Sequence, residues 1–108
     1  MRIDKLTTQL QTALADAQSL AVGQNNTQIE PVHLLWVLLN QENGTTPHLL
    51  RTAKINLVKL RERLKILLDD LPTVQQVTGE TGVSNNLSKL FNIADKLIAE
   101  YNDQFVSS

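Results

Sequence analysis

Shifted by 77 positions, the end of this chain falls on its own beginning without a gap. Thr7 lands on Ser84, Leu10 on Leu87, Ala13 on Leu90, Leu14 on Phe91, Ala17 on Ala94, Leu20 on Leu97 and Ala21 on Ile98. Past the helical run, Asn25 lands on Asn102 and Ile29 on Val106. A shared helical period accounts for part of this match. The coincident cap, turn asparagine and post-turn aliphatic go beyond it. Repeats of this kind mark units that bury their apolar faces only by packing on one another. The first unit predicts four helices, and the second breaks off after its first helix and turn. Ser107-Ser108 stand where Glu30-Pro31 begin the second helix of the first unit. The fifth helix is therefore expected to be exposed, covered by absent residues, or covered by another copy as a packed or domain-swapped dimer.

The helices follow from the spacing of apolar residues. Leu6, Leu10, Ala13, Leu14, Ala17, Leu20 and Ala21 share one face of a helix over about 4–21, with Thr7 as a candidate cap. Gly23 and Asn25-Asn26 end it. Pro31 suits the first position of a second helix, where its missing N–H would lack a partner anyway. Val32 to Leu39 is apolar on nearly every side, which assigns that helix to the middle of a bundle. Thr46-Pro47 predict the start of a short third helix ending near Ala53. Asn56 caps a fourth, with Leu57, Leu60, Leu64, Leu67, Leu68 and Leu71 facing inward, and Pro72 marks its end. Ser84 caps a fifth over 85 to about 101, and Asp103 to Ser108 reads as a turn approaching a further helix. The expected organisation is a first repeat over 1–71, a linker over 72–83 and the opening of a second repeat over 84–108. The fold class is all-α.

Composition agrees and excludes several chemistries. Leucine supplies 19 of the 108 residues while only 4% are aromatic, a balance that favours helices over sheets. The absence of cysteine removes disulfides, thiolate zinc sites and cysteine nucleophiles. A formal charge of −1 argues against a general nucleic-acid or membrane-surface binder. The longest apolar run, Leu34 to Leu39, is far short of a membrane span, and no export signal is visible, so a cytoplasmic protein is expected. Gly23, Gly44, Gly79 and Gly82 are the only glycines, and none precedes the Lys-Ser or Lys-Thr pair of a phosphate loop. No enzymatic role, cofactor or metal is expected. His33 and His48 each follow a proline near a helix start and read as structural rather than as ligands. Asp69-Asp70, at a helix C-terminus, read as solvated acids.

Two surfaces stand out. Arg51, Lys54, Lys59, Arg61, Arg63 and Lys65 are six of the ten basic residues and crowd the third and fourth helices. They read as a solvated face or as a contact surface for a folded partner. In the fifth helix the repeat places Leu87, Leu90, Phe91, Ala94 and Ile98 on the core face. Ile93 falls on Asp16 of the first repeat, and a position charged in one copy and aliphatic in the other lies near the surface. Leu90, Ile93 and Leu97 can then form a second apolar strip. It either lines a shallow groove for extended apolar peptide, together with the start of helix one, or packs against absent helices.

The order of motifs resembles a known family. Leu14-Ala15-Asp16-Ala17-Gln18-Ser19-Leu20-Ala21, then Ile29-Glu30-Pro31-Val32-His33-Leu34-Leu35 and Leu38-Leu39-Asn40-Gln41-Glu42, are similar to the N-terminal Clp repeat domain of ClpB-type disaggregases. Asp95-Lys96-Leu97 and Asp103 to Ser108 are similar to its second repeat. The resemblance covers the whole chain. It implies two four-helix repeats joined by a linker, ahead of ATPase modules that form a hexamer. It implies a function: recognition of unfolded or aggregated polypeptide for the ATPase ring. It also implicates Thr7 and Asp103 in client contact, beside their plain readings as an N-cap and a turn aspartate. ClpC-type relatives place a glutamate directly before the histidine of the second helix to hold phosphoarginine. Val32 occupies that position, which argues against a phosphoarginine reader. The alternative function is a scaffold that docks a folded adaptor through the basic face of helices three and four.

Overall fold

The structure is a computed structural model that describes residues 8–41, 45–75 and 81–106, with side chains for all of these except Gln9, Thr45, Ile98 and 101–106. It holds five helices: α1 Thr8–Gly23, α2 Pro31–Asn40, α3 Thr45–Thr52, α4 Leu57–Asp69 and α5 Asn85–Val106. The described residues form no strand, so the fold is all-α. As its uninterrupted apolar run requires, α2 lies at the centre and packs against α1, α3, α4 and α5.

Two apolar clusters flank α2. On one side Ala13, Ala17 and Ala21 of α1 meet Ile29, Leu34 and the buried Leu87 of α5, with Leu10, Val37, Leu38 and Phe91 packed around them. Alanine at every fourth position of α1 lets the two helix backbones approach closely. On the other side Leu39, Leu57 and Leu64 are buried, with Val32, Leu35, Trp36, Leu50 and Leu60 around them.

The helix ends are fixed by local chemistry. At the end of α1, Asn25 adopts φ 58°. Its N–H bonds Val22 O at 3.0 Å and that of Asn26 bonds Ala21 O at 2.9 Å, a Schellman closure. Lys54, at φ 64°, closes α3 in the same way, with bonds from Lys54 N to Arg51 O and from Ile55 N to Leu50 O. Asn56 and Ser84 cap α4 and α5: Asn56 Oδ1 accepts from Lys59 N at 3.1 Å, and Ser84 Oγ from Leu87 N at 3.1 Å.

Several expectations need correction. Helix α5 does not end near Tyr101 but continues to Val106, so Asp103 lies in its last turn rather than in a connecting turn. The repeat explains why: Glu100 stands where α1 has Gly23, and no glycine or proline interrupts 99–106. Helix α3 opens at Thr45, one residue before the expected cap, with Pro47 inside the first turn, where its missing N–H costs nothing. Leu67 is exposed rather than inward-facing, because it sits at the edge of the arc that α4 turns to the core. Leu90 is likewise exposed rather than part of the core face of α5. Thr7, and with it the expected cap of α1, lies outside the described residues.

The stretch between α4 and α5 is anchored at both ends. Asn26 pairs with Thr73 and Ile29 with Val83 in isolated bridges. Val74 N donates to Asn25 O, Ile29 N to Gly82 O and Ser84 N to Ile29 O, at 2.8–3.0 Å. The α1–α2 connection therefore sets where α4 ends and where α5 begins.

Candidate functional site

A polar chain holds that junction. His33 is fully buried at the start of α2. Its Nδ1 accepts from Glu30 N at 2.8 Å, which leaves the proton on Nε2. Nε2–H then donates to Asn26 Oδ1 at 2.8 Å, and Asn26 Nδ2 donates to Pro72 O at 3.2 Å. Burial lowers the pKa of His33 from its ordinary value, opposed by the nearby Glu30. His33 thus fastens α2 to the end of α4 as a neutral ring. His48 is exposed.

The apolar strip of α5 is on the surface. Leu90, Ile93 and Leu97 recur at three- and four-residue steps along one helical face and are 46%, 55% and 60% exposed. The adjoining face carries Leu87, buried, and Phe91, half-buried against α1 and α2. The repeat register explains the contrast. Leu90 aligns with Ala13, which is fully buried, but α1 packs extensively on α2, whereas α5 touches α2 at only a few positions. The start of α1, the other wall expected for this groove, lies outside the described residues together with Thr7. The structure therefore brings Leu90, Ile93 and Leu97 together, and sets Asp103 on the same helix, in its last turn.

The basic face is partly engaged within the chain. Arg61 reaches across to Leu39 O at 3.3 Å, and Lys65 pairs with Asp69 at 3.2 Å on the exposed side of α4. Lys59 and Arg63 lie on the same outer side of α4 as the exposed Ile66 and Leu67, one to two turns before them.

A further groove was not singled out from sequence. Asp16 and Leu20 of α1 face Trp36, Val37 and Asn40 of α2 and the adjoining Gln41 across an open cleft. Asn40 Nδ2 donates to Trp36 O at 2.7 Å. Two signals pointed to it: Asp16 is the only charged residue in α1, and Trp36 is the only tryptophan in the chain.

Comparison with known proteins agrees with this arrangement. The family model of the Clp repeat (R) N-terminal domain matches residues 5–108. The chaperone protein ClpB of Pseudomonas putida is 48% identical over 108 residues, which is all of this chain and 13% of that protein. ClpB of Vibrio cholerae is 40% identical over the same length, again all of this chain and 13% of that protein. The chain thus spans about one eighth of the curated relatives it matches. Among solved structures, the N-domain of ClpV from Vibrio cholerae superposes with a TM-score of 0.76 at 23% identity, covering 90% of this chain and 57% of that one, a likeness of fold. With a family match over nearly its whole length, ClpB relatives matched along the whole of this chain, and the helix order that the family's repeat implies, the chain belongs to the Clp repeat N-terminal domain family, in the form carried by ClpB-type chaperones.

Proposed function

We propose that this domain recognises polypeptide substrate for an ATP-dependent ClpB-type disaggregase, holding unfolded or aggregated protein near the ATPase ring. The observation that carries the reading is the strip Leu90, Ile93 and Leu97, three aliphatic side chains in one line on the surface of α5. A client known only by its exposed apolar side chains needs a surface of this kind and few directional contacts. Weak, reversible capture suffices, because a tethered domain raises the local concentration of client at the ring. Thr7 and Asp103 enter as further client contacts by family resemblance, with roles separable from those of a cap or a helix-end residue.

A chemical-shift map of the domain during titration with an unstructured apolar peptide tests this. Ile93 and Leu97 should move as binding saturates; if they stay still, the strip is not the site. A second reading, docking of a folded adaptor through the basic face of α3 and α4, draws on the exposed Lys59 and Arg63 and on the exposed Ile66 and Leu67 on the same side of α4. Salt separates the two. Apolar capture should survive moderate ionic strength, whereas docking through lysines and arginines should weaken.

A further inference from the structure

The two walls of the α1–α2 cleft differ in origin. Its α1 wall, Asp16 and Leu20, consists of the repeat equivalents of Ile93 and Leu97 in α5. The same face of the same repeat helix is thus used twice. In α5 it is apolar and open. In α1 it carries a carboxylate and is faced by Trp36, Val37 and Asn40.

The charge distribution states what such a cleft would take. Neither α1 nor α2 contains a lysine or arginine, and His33 is buried and neutral in its hydrogen bonds. Asp16 is exposed, and among the described residues no cation pairs with it. An isolated carboxylate beside an indole, on a floor of Leu20 and Val37, matches a side chain with an aliphatic stem and a cationic head. The stem packs on the aliphatic groups, while the head meets the carboxylate and the negative face of the ring. The exposed Asn40 supplies an amide at the rim, where a peptide backbone could hydrogen-bond.

We propose that the cleft between α1 and α2 is a second polypeptide-binding site, selective for an arginine or lysine flanked by apolar residues, with Asp16 and Trp36 as its recognition pair. This rests on the reading of the domain as a polypeptide binder. It adds a charge preference that the α5 strip cannot supply.

Trp36 is the only tryptophan, so its emission reports on the site itself. The full 108-residue chain is titrated with blocked peptides of sequence Gly-Leu-Arg-Leu-Gly, and with the same peptide carrying Gln or Glu in place of Arg. The Arg peptide should shift Trp36 emission saturably, with a dissociation constant about five- to tenfold below that of the Gln peptide at low salt. The Glu peptide should bind more weakly still. Asp16→Asn should bring the Arg peptide to the level of the Gln peptide without changing the thermal melt. Leu49→Ser, at an exposed position of α3 away from both surfaces, should leave the Trp36 response intact. Equal binding of the Arg and Gln peptides, or an unchanged preference in Asp16→Asn, overturns the proposal. Peptide binding seen by anisotropy with Trp36 emission unmoved overturns the cleft and leaves the proposed function standing. Absence of peptide binding by either readout overturns both.

Discussion

The Nε2–H of His33 donates to Asn26 Oδ1 across 2.8 Å, and through Asn26 this bond joins the start of α2 to the backbone at Pro72. Both residues are buried, so neither can exchange its partner for water. Removing one partner should therefore cost more than the bond itself. Asn26→Ala leaves a buried imidazole N–H unsatisfied and is expected to destabilise the domain by about 1–3 kcal/mol. Urea unfolding measures this. Combined with His33→Leu, the two losses should fall short of their sum by about 0.5–3 kcal/mol, because the second change removes a group the first has already orphaned. Strict additivity would mean that the pair does not act as a unit.

Acid should weaken the same junction. His33 is held below the ordinary value of 6.5 by burial, so between its native pKa and that value the unfolded chain binds a proton that the folded chain does not. The stabilising contribution is complete above about pH 6.5 and is lost progressively as pH falls toward the native pKa. Protonation would also place a donor at Nδ1 against the Glu30 N–H, which is itself a donor. Denaturation curves from pH 7.5 down to 5.5 should show stability falling, and His33→Leu should flatten that slope. A slope unchanged in the variant would assign the effect to other groups.

Much of this fold could be read from periodicity, because a helix writes its buried face into the chain every three or four residues. The central place of α2, the caps Asn56 and Ser84, and the structural rather than ligating His33 were all legible in this way. The end of α5 was not. The turn asparagine of the first repeat recurs at Asn102, but the turn after α1 is held by the left-handed Asn25 and by the pairing of Asn26 with Thr73 and of Ile29 with Val83. Nor could sequence say that Leu90 and Ala13, equivalent in the repeat, differ in burial, since burial depends on which helix lies alongside. The Asp16–Trp36 cleft joins residues twenty positions apart on different helices, and neither periodicity nor motif links them.

Ser84→Ala and Asn56→Ala should separate a buried cap from an exposed one. The Ser84 hydroxyl is buried and satisfies Leu87 N, whose side chain completes the first core cluster. Its loss should cost about 1–2 kcal/mol, toward the upper end of cap energies. Asn56 bonds Lys59 N at the surface, where water can substitute, so its loss should cost only about 0.5–1 kcal/mol. Thermal melts of both variants test the order, which would be wrong if Asn56→Ala proved the more damaging.

Two backbone positions invite opposite substitutions. Lys54 sits at φ 64°, where a Cβ is strained, so Lys54→Gly should stabilise the domain by about 0.5–1 kcal/mol. Gly23 closes α1 without a positive φ, and a Cβ there would meet no atom within 4 Å. Gly23→Ala should also stabilise, by about 0.4–1 kcal/mol, chiefly by restricting the unfolded chain. Asn25, not Gly23, is the residue that needs left-handed freedom, so Asn25→Ala should destabilise while Gly23→Ala does not. A reversed order in urea midpoints would contradict the assignment of the Schellman closure.

The strip on α5 gives the test in which stability and function must part. Leu90, Ile93 and Leu97 are each about half exposed, so Leu90→Ser, Ile93→Ser and Leu97→Ser should each change stability by only about 0.5 kcal/mol. Leu87→Ala, one turn away on the buried face, should cost about 2–5 kcal/mol. Binding should follow the opposite order. Each serine removes aliphatic surface that a bound apolar peptide would cover, worth about 1 kcal/mol, or roughly fivefold in affinity. The triple variant should therefore lose well over tenfold in peptide affinity while melting close to the parent. If Leu87→Ala, examined below its own melting temperature, loses more affinity than the triple variant, client contact does not run through this face. If the triple variant melts far below the parent, the strip is covered within the folded domain and serves packing rather than capture.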